Sequence, residues 1–172
     1  MKIPVLAIQQ GAAAGMIIVV IKLVAYLYGV EALMSGWVGF GQLVLVVAGM
    51  FLACSMERNA GDGFLTFGRA FFVALSAATV ATLFGVVIDI VLSSILDPEL
   101  NAKMIEQIMA EFEDSGFTQL IPKSELDKMP ADLEYWMNPF GKLIGWVFGI
   151  LFWAIGALIV GAIMQRSNPK FF

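Results

Sequence analysis

Four apolar runs, each long enough to cross a bilayer, take up more than half of this chain: roughly 8–28, 37–55, 70–96 and 140–165. A helix rises 1.5 Å per residue and the hydrocarbon core is about 30 Å thick, so about 20 apolar residues span it. All four runs reach that length. Apolar residues make up 60% of the 172 positions, where a soluble domain typically holds about 45–50%. The fold class this dictates is all-α: a four-helix transmembrane bundle forming one integral membrane domain, residues 1–172. Residues 97–139 are the one long polar connection, expected as a short amphipathic helical loop on the outer, periplasmic side. Residues 1–30 read as an uncleaved first span and not as a signal peptide, because the run is too long for an h-region and no small-x-small site follows Tyr28.

The chemistry available is narrow. The chain has one cysteine, Cys54, and no histidine. An intramolecular disulfide is impossible, and the commonest general base and zinc ligand is missing. No paired carboxylates or nucleophile–base signature appear, so no catalytic residue, metal ligand or cofactor site is assigned and the expectation is a protein that is not an enzyme. Gly61-Asp62-Gly63 lacks the preceding strand and the Lys-Ser/Thr of a phosphate loop and reads as a turn.

Charge is distributed unevenly. Residues 97–138 carry ten acids against three lysines, although the whole chain is only −4. No Lys/Arg cluster of the kind that grips phosphates exists, so nucleic acid is excluded as a partner. Lys2, Arg58, Arg69, Arg166 and Lys170 fall on one side of the spans, whereas the connection 29–36 holds Glu31 and no base. Basic residues stay cytoplasmic, which predicts both termini inside and the acidic loop outside. Tyr26, Tyr28, Trp37, Tyr135 and Trp136 fall at the outer boundary, where amphipathic rings anchor.

The loop has its own pattern. Asp97-Pro98 reads as an N-cap followed by a proline, and Gly116 as a terminator. Between them Leu100, Met104, Ile105, Ile108, Met109 and Phe112 recur at helical spacing. Ser124 with Asp127 resembles a capping box for a second short helix that Pro130 ends, and Asn138-Pro139 caps the fourth span.

Lys22 and Asp89 are read as the ionisable groups well inside the spans. Lys22 lies six residues before Tyr28, and Asp89 seven before Leu96, so both are roughly 9–10 Å deep on helices running the same way. Opposite charges at one depth predict an ion pair. The alternative for Lys22 is to snorkel past Tyr26 on its long stem. Asp89 has no such reach and needs a partner or a wet cavity. Small residues stripe the helices: Gly11 with Gly15, then Gly141, Gly145 and Gly149, with Ala74/Ala78 and Ala77/Ala81/Gly85 in the third span. Such rows let backbones approach in lipid, within the monomer or between copies of the fourth span.

The turn Gly61-Asp62-Gly63-Phe64-Leu65-Thr66-Phe67-Gly68-Arg69-Ala70-Phe71 resembles the "glycine, aliphatic, Thr-Phe-Gly-basic-Ala-Phe" signature of domain of unknown function 4199, small four-span bacterial membrane proteins. The order of segments is similar over nearly the whole chain. The resemblance implies a location, the bacterial inner membrane, and makes Gly63, Thr66, Phe67, Gly68 and Arg69 the family-like motif. It implies no activity and supplies no catalytic residues. Phe67 is expected between helices, Gly68 at a close approach and Arg69 at headgroup level.

Two functions follow as expectations. The first is a non-enzymatic component that binds membrane lipid, a membrane protein partner or a second copy of itself. The alternative is a small transporter or channel subunit that uses the Lys22/Asp89 pair.

Overall fold

The computed structural model describes residues 4–116 and 121–166. Lys2 and Lys170, two of the five basic residues that set the expected orientation, lie outside them. The elements follow the hydrophobic runs. Helix α1 is Val5–Tyr28, a short α2 is Val30–Met34, α3 is Gly36–Ala60 and α4 is Phe67–Val91. A wider π-helical turn, Leu92–Leu96, ends that span. The cap consists of α5 (Leu100–Asp114), α6 (Lys123–Leu126) and α7 (Met129–Met137), and α8 is Pro139–Met164. Four of these helices are long and apolar enough to cross a membrane. The bundle is all-α, with the polar connection folded as a helical cap over one end. The opposite end carries the Gly61–Thr66 turn.

The central helix is α4, which packs on α1, α3 and α8. Its small residues make this possible: Ala70, Ala74, Ala77, Ala78 and Ala81 are all buried to 1% exposure or less. They meet Ala7, Ala14 and Ile18 of α1, Val46, Met50, Ala53 and Cys54 of α3, and Ala157 and Val160 of α8 in one core. Van der Waals packing of this kind associates helices in lipid, where no hydrophobic force acts between them. Outside the core, α8 exposes Val147, Phe148, Leu151, Phe152, Ile155, Ile159 and Ile163. A face so apolar is a lipid-facing surface.

The helix ends depart from the sequence reading in several places. Asn138 Oδ1 accepts from the Gly141 N–H at 2.7 Å and starts α8 with Pro139 in its first turn. Asp97 does not open α5. Its Oδ1 accepts from the Glu99 N–H at 3.1 Å in a turn, and the helix begins at Leu100. Asp97 Oδ2 also takes a hydrogen bond from Lys103 Nζ at 2.9 Å, which raises that ammonium's pKa above the ordinary lysine value. Ser124 caps nothing, because α6 starts after Pro122, and Pro130 lies in the first turn of α7 instead of ending a helix. Gly116 takes φ +73 just past α5, the left-handed conformation that a glycine terminator supplies.

A second, smaller apolar cluster seats the cap on the bundle. Ile88, Leu92 and Leu100 are buried there against Leu23, Tyr26, Leu33 and Met104. Tyr26 thus packs inward, whereas Tyr28, Trp37, Tyr135 and Trp136 remain exposed at the cap end.

Candidate functional site

Beneath the cap, three charged side chains from three spans converge. Lys22 of α1 places Nζ 2.6 Å from Asp89 Oδ2 of α4 and 3.4 Å from the Gly85 carbonyl. The side chains are 12% and 33% exposed, so Lys22 turns into the bundle and not toward the boundary. The reason is depth: the carboxylate lies on a neighbouring parallel helix at the same level, and pairing satisfies a charge that lipid cannot.

The third charge is Lys142, in the first turns of α8, which the sequence reading passed over. Its Nζ donates to Ser93 Oγ at 2.6 Å, to Asn101 Oδ1 at 3.1 Å and to the Asp89 main-chain carbonyl at 3.2 Å. All three acceptors are neutral. Among the described residues no carboxylate comes within ion-pair distance of Lys142. Ser93 is buried and also donates to the Asp89 carbonyl at 2.8 Å. These bonds sit where α4 passes into its π-helical turn, a distortion that recurs at functional sites. Asn101 donates in turn to the Met137 carbonyl at 3.0 Å, tying α5 to α7 across the site.

Two cavities share Lys22, Asp89 and Lys142 in their walls. The upper one, about 270 Å³, is roofed by Leu33, Leu100, Met104 and Trp136 of the cap end. The lower one, about 310 Å³, runs down between α3 and α8 past Gln42, Gly145, Trp146 and Gly149 to Trp153. Its back wall is fixed by Trp146 Nε1, which donates to Thr82 Oγ1 at 3.1 Å.

The glycine stripes divide sharply in role. At Gly11 an added Cβ would lie 2.5 Å from the Ala77 carbonyl oxygen, and at Gly15 it would lie 2.7 Å from Phe84 Cβ. That stripe is the α1–α4 contact. Gly141 lies against the backbone of Tyr135 and Trp136, so it serves the turn into α8. Gly145 and Gly149 have nothing within 4 Å of an added Cβ. Within the monomer neither makes the helix contact that the stripe predicts, and both line the lower cavity.

The family model described as "Protein of unknown function (DUF4199)" matches residues 9–166. The chain belongs to this family. No curated protein matches it, and no solved structure does. In this DUF4199 chain the motif turn is a structural fastening at the end remote from the charges. Thr66 Oγ1 accepts from the Arg69 N–H at 3.4 Å and caps α4. Arg69 Nε donates to Glu57 Oε1 of α3 at 3.0 Å, joining the helices on either side of the turn. Leu65 exchanges backbone hydrogen bonds of 3.0 and 2.7 Å with Arg166, which pins the turn to the end of α8. Gly63 takes φ +78, where other residues are strained. Two expectations fail here. Phe67 is 41% exposed and does not pack between helices. Gly68 has nothing within 4 Å of an added Cβ, so no close approach requires it. Leu65, at 4% exposure, is the motif's buried anchor.

Proposed function

We propose that this multi-pass membrane protein is a non-enzymatic component that binds a lipid in the charged cleft beneath its cap. The proposed setting is the bacterial inner membrane, with both termini cytoplasmic and the acidic cap outside. The observation that carries the reading is the Lys22–Asp89 pair with cavities on both sides of it, each with apolar and charged walls. An amphiphile has that same division, and ligand sites are mostly apolar hollows with a few placed polar groups.

Transport is the second reading, favoured by a charged pair between two cavities. Below Thr82, however, the bundle centre is filled by Ala70, Val73, Ala74, Ala77 and Met50, all at 1% exposure or less. A wet path through one copy would have to cross that packed layer. Lipid binding requires no such path.

The test is to purify the protein from native membranes in mild detergent and identify retained lipid by mass spectrometry. Wild type should hold lipid near one-to-one, and Leu33→Trp, which fills the upper cavity, should hold less. Equal retention by both, or none by wild type, contradicts the proposal. Ion or solute flux through reconstituted wild type, abolished by Asp89→Asn, would favour transport instead.

A further inference from the structure

Resting on the lipid-binding reading, we infer that the ligand is a glycerophospholipid with a single net negative charge, its headgroup at Lys142 and an acyl chain in the cavity between α3 and α8. The charge balance of the site points to the sign. Lys22 and Asp89 neutralise one another at 2.6 Å, and Lys142 adds a cation bonded to a carbonyl, a hydroxyl and an amide. Its hydrogen bonds are met and its charge is not. A charge withdrawn from water without an opposite partner is costly. One phosphodiester anion completes the site, whereas a zwitterion adds no net charge and a free divalent phosphate overshoots.

The cavity points to the rest of the molecule. From Lys142 to Trp153 it follows α8 for eleven residues, roughly 16 Å at 1.5 Å per residue. Gly145 is exposed and Gly149 half-buried, so along α8 the cavity wall reaches the outer surface of the bundle. Near its lower end α3 and α8 close together, where Met50 Cε lies 3.7 Å from the position of a Gly156 Cβ. The walls between are apolar apart from Gln42, Thr82 and the indole N–H groups, and Trp146 and Thr82 already satisfy each other. The shape is that of one flexible chain entering from the bilayer with its charged end uppermost.

The experiment titrates delipidated wild type in detergent with dioleoyl phosphatidylglycerol and with dioleoyl phosphatidylcholine, followed by native mass spectrometry. Wild type should prefer phosphatidylglycerol by about tenfold, from the screened attraction between the phosphodiester charge and the Lys142 ammonium. Lys142→Gln should lose the preference and Lys142→Arg should keep it, with thermal melts checking that both fold. Gly145→Leu, an exposed position, should weaken both lipids by plugging the opening without touching the charges. Equal affinity of wild type for the two lipids overturns the anion inference and leaves lipid binding standing. Binding of neither overturns both. A preference that survives in Lys142→Gln, or undiminished binding by Gly145→Leu, also contradicts the placement.

Discussion

Lys142 meets Asp89 through the main chain: its Nζ lies 3.2 Å from the Asp89 carbonyl oxygen, outside ion-pair distance of the carboxylate, which Lys22 occupies at 2.6 Å. One aspartate thus positions two lysines by two different groups. The carboxylate cancels one charge, and the carbonyl only orients the other. Ser93 completes the arrangement, donating to the same carbonyl and accepting from Lys142.

Ser93→Ala should therefore cost more than an ordinary helix serine. It removes a buried acceptor from a charged donor, and leaving such a group short of a partner costs about 1–3 kcal/mol. Thermal unfolding in detergent, compared with the half-buried Ser76→Ala, measures the difference. Equal shifts in the two variants would contradict the bond network.

The two glycine stripes should respond oppositely. Gly11→Ala forces a methyl to within 2.5 Å of the Ala77 carbonyl oxygen on a packed helix, an overpacking cost of about 1–3 kcal/mol. Gly145→Ala meets open space and gains helix propensity, so its expected effect is within about 0.5 kcal/mol of neutral or slightly stabilising. A large loss at Gly145 would show that the fourth span packs against something, a second copy included.

These stripes show where sequence reasoning reaches its limit. Small residues at a spacing of four announce that a face can be approached, but not what approaches it. Gly11 and Gly145 look alike on paper, and only the fold separates a helix contact from a cavity wall. The four spans were legible because length and hydrophobicity alone decide them. The matched depth of Lys22 and Asp89 was legible because 1.5 Å per residue converts position into height. Lys142 was not. It lies three residues inside α8, where a lysine can ordinarily reach water, and its covering comes from Leu100, Asn101 and Met137, docked from far along the chain. Its signal was available in charge counting, as a cation within an otherwise uncharged 26-residue helix.

The motif turn should tolerate loss of its aromatic better than loss of its aliphatic residue. Phe67→Ala should change stability by less than about 1 kcal/mol, since the residue is already exposed. Leu65→Ala should cost about 2–5 kcal/mol, because that side chain is buried beside the Arg166 bridge. The reverse order would return Phe67 to the interior. Paired thermal melts in one detergent distinguish the two.

Cysteine labelling addresses orientation. The native Cys54 is fully buried and gives a low background. Ser115→Cys should react with an impermeant maleimide added to intact cells, and Ser167→Cys should react only after lysis. Labelling of Ser167→Cys from outside would invert the proposed topology.

The measurement closest to the central claim is a double-mutant cycle on Lys22 and Asp89. Asp89→Leu should cost about 3–5 kcal/mol, because it strands Lys22 inside the bundle, and Lys22→Leu should cost less, because Lys142 remains beside the carboxylate. The double variant Lys22→Leu/Asp89→Leu should recover much of that loss, with a coupling of at least about 1 kcal/mol. A coupling below about 0.5 kcal/mol, the scatter of independent sites, would mean that Lys22 snorkels to the boundary and that no charged pair lies beneath the cap.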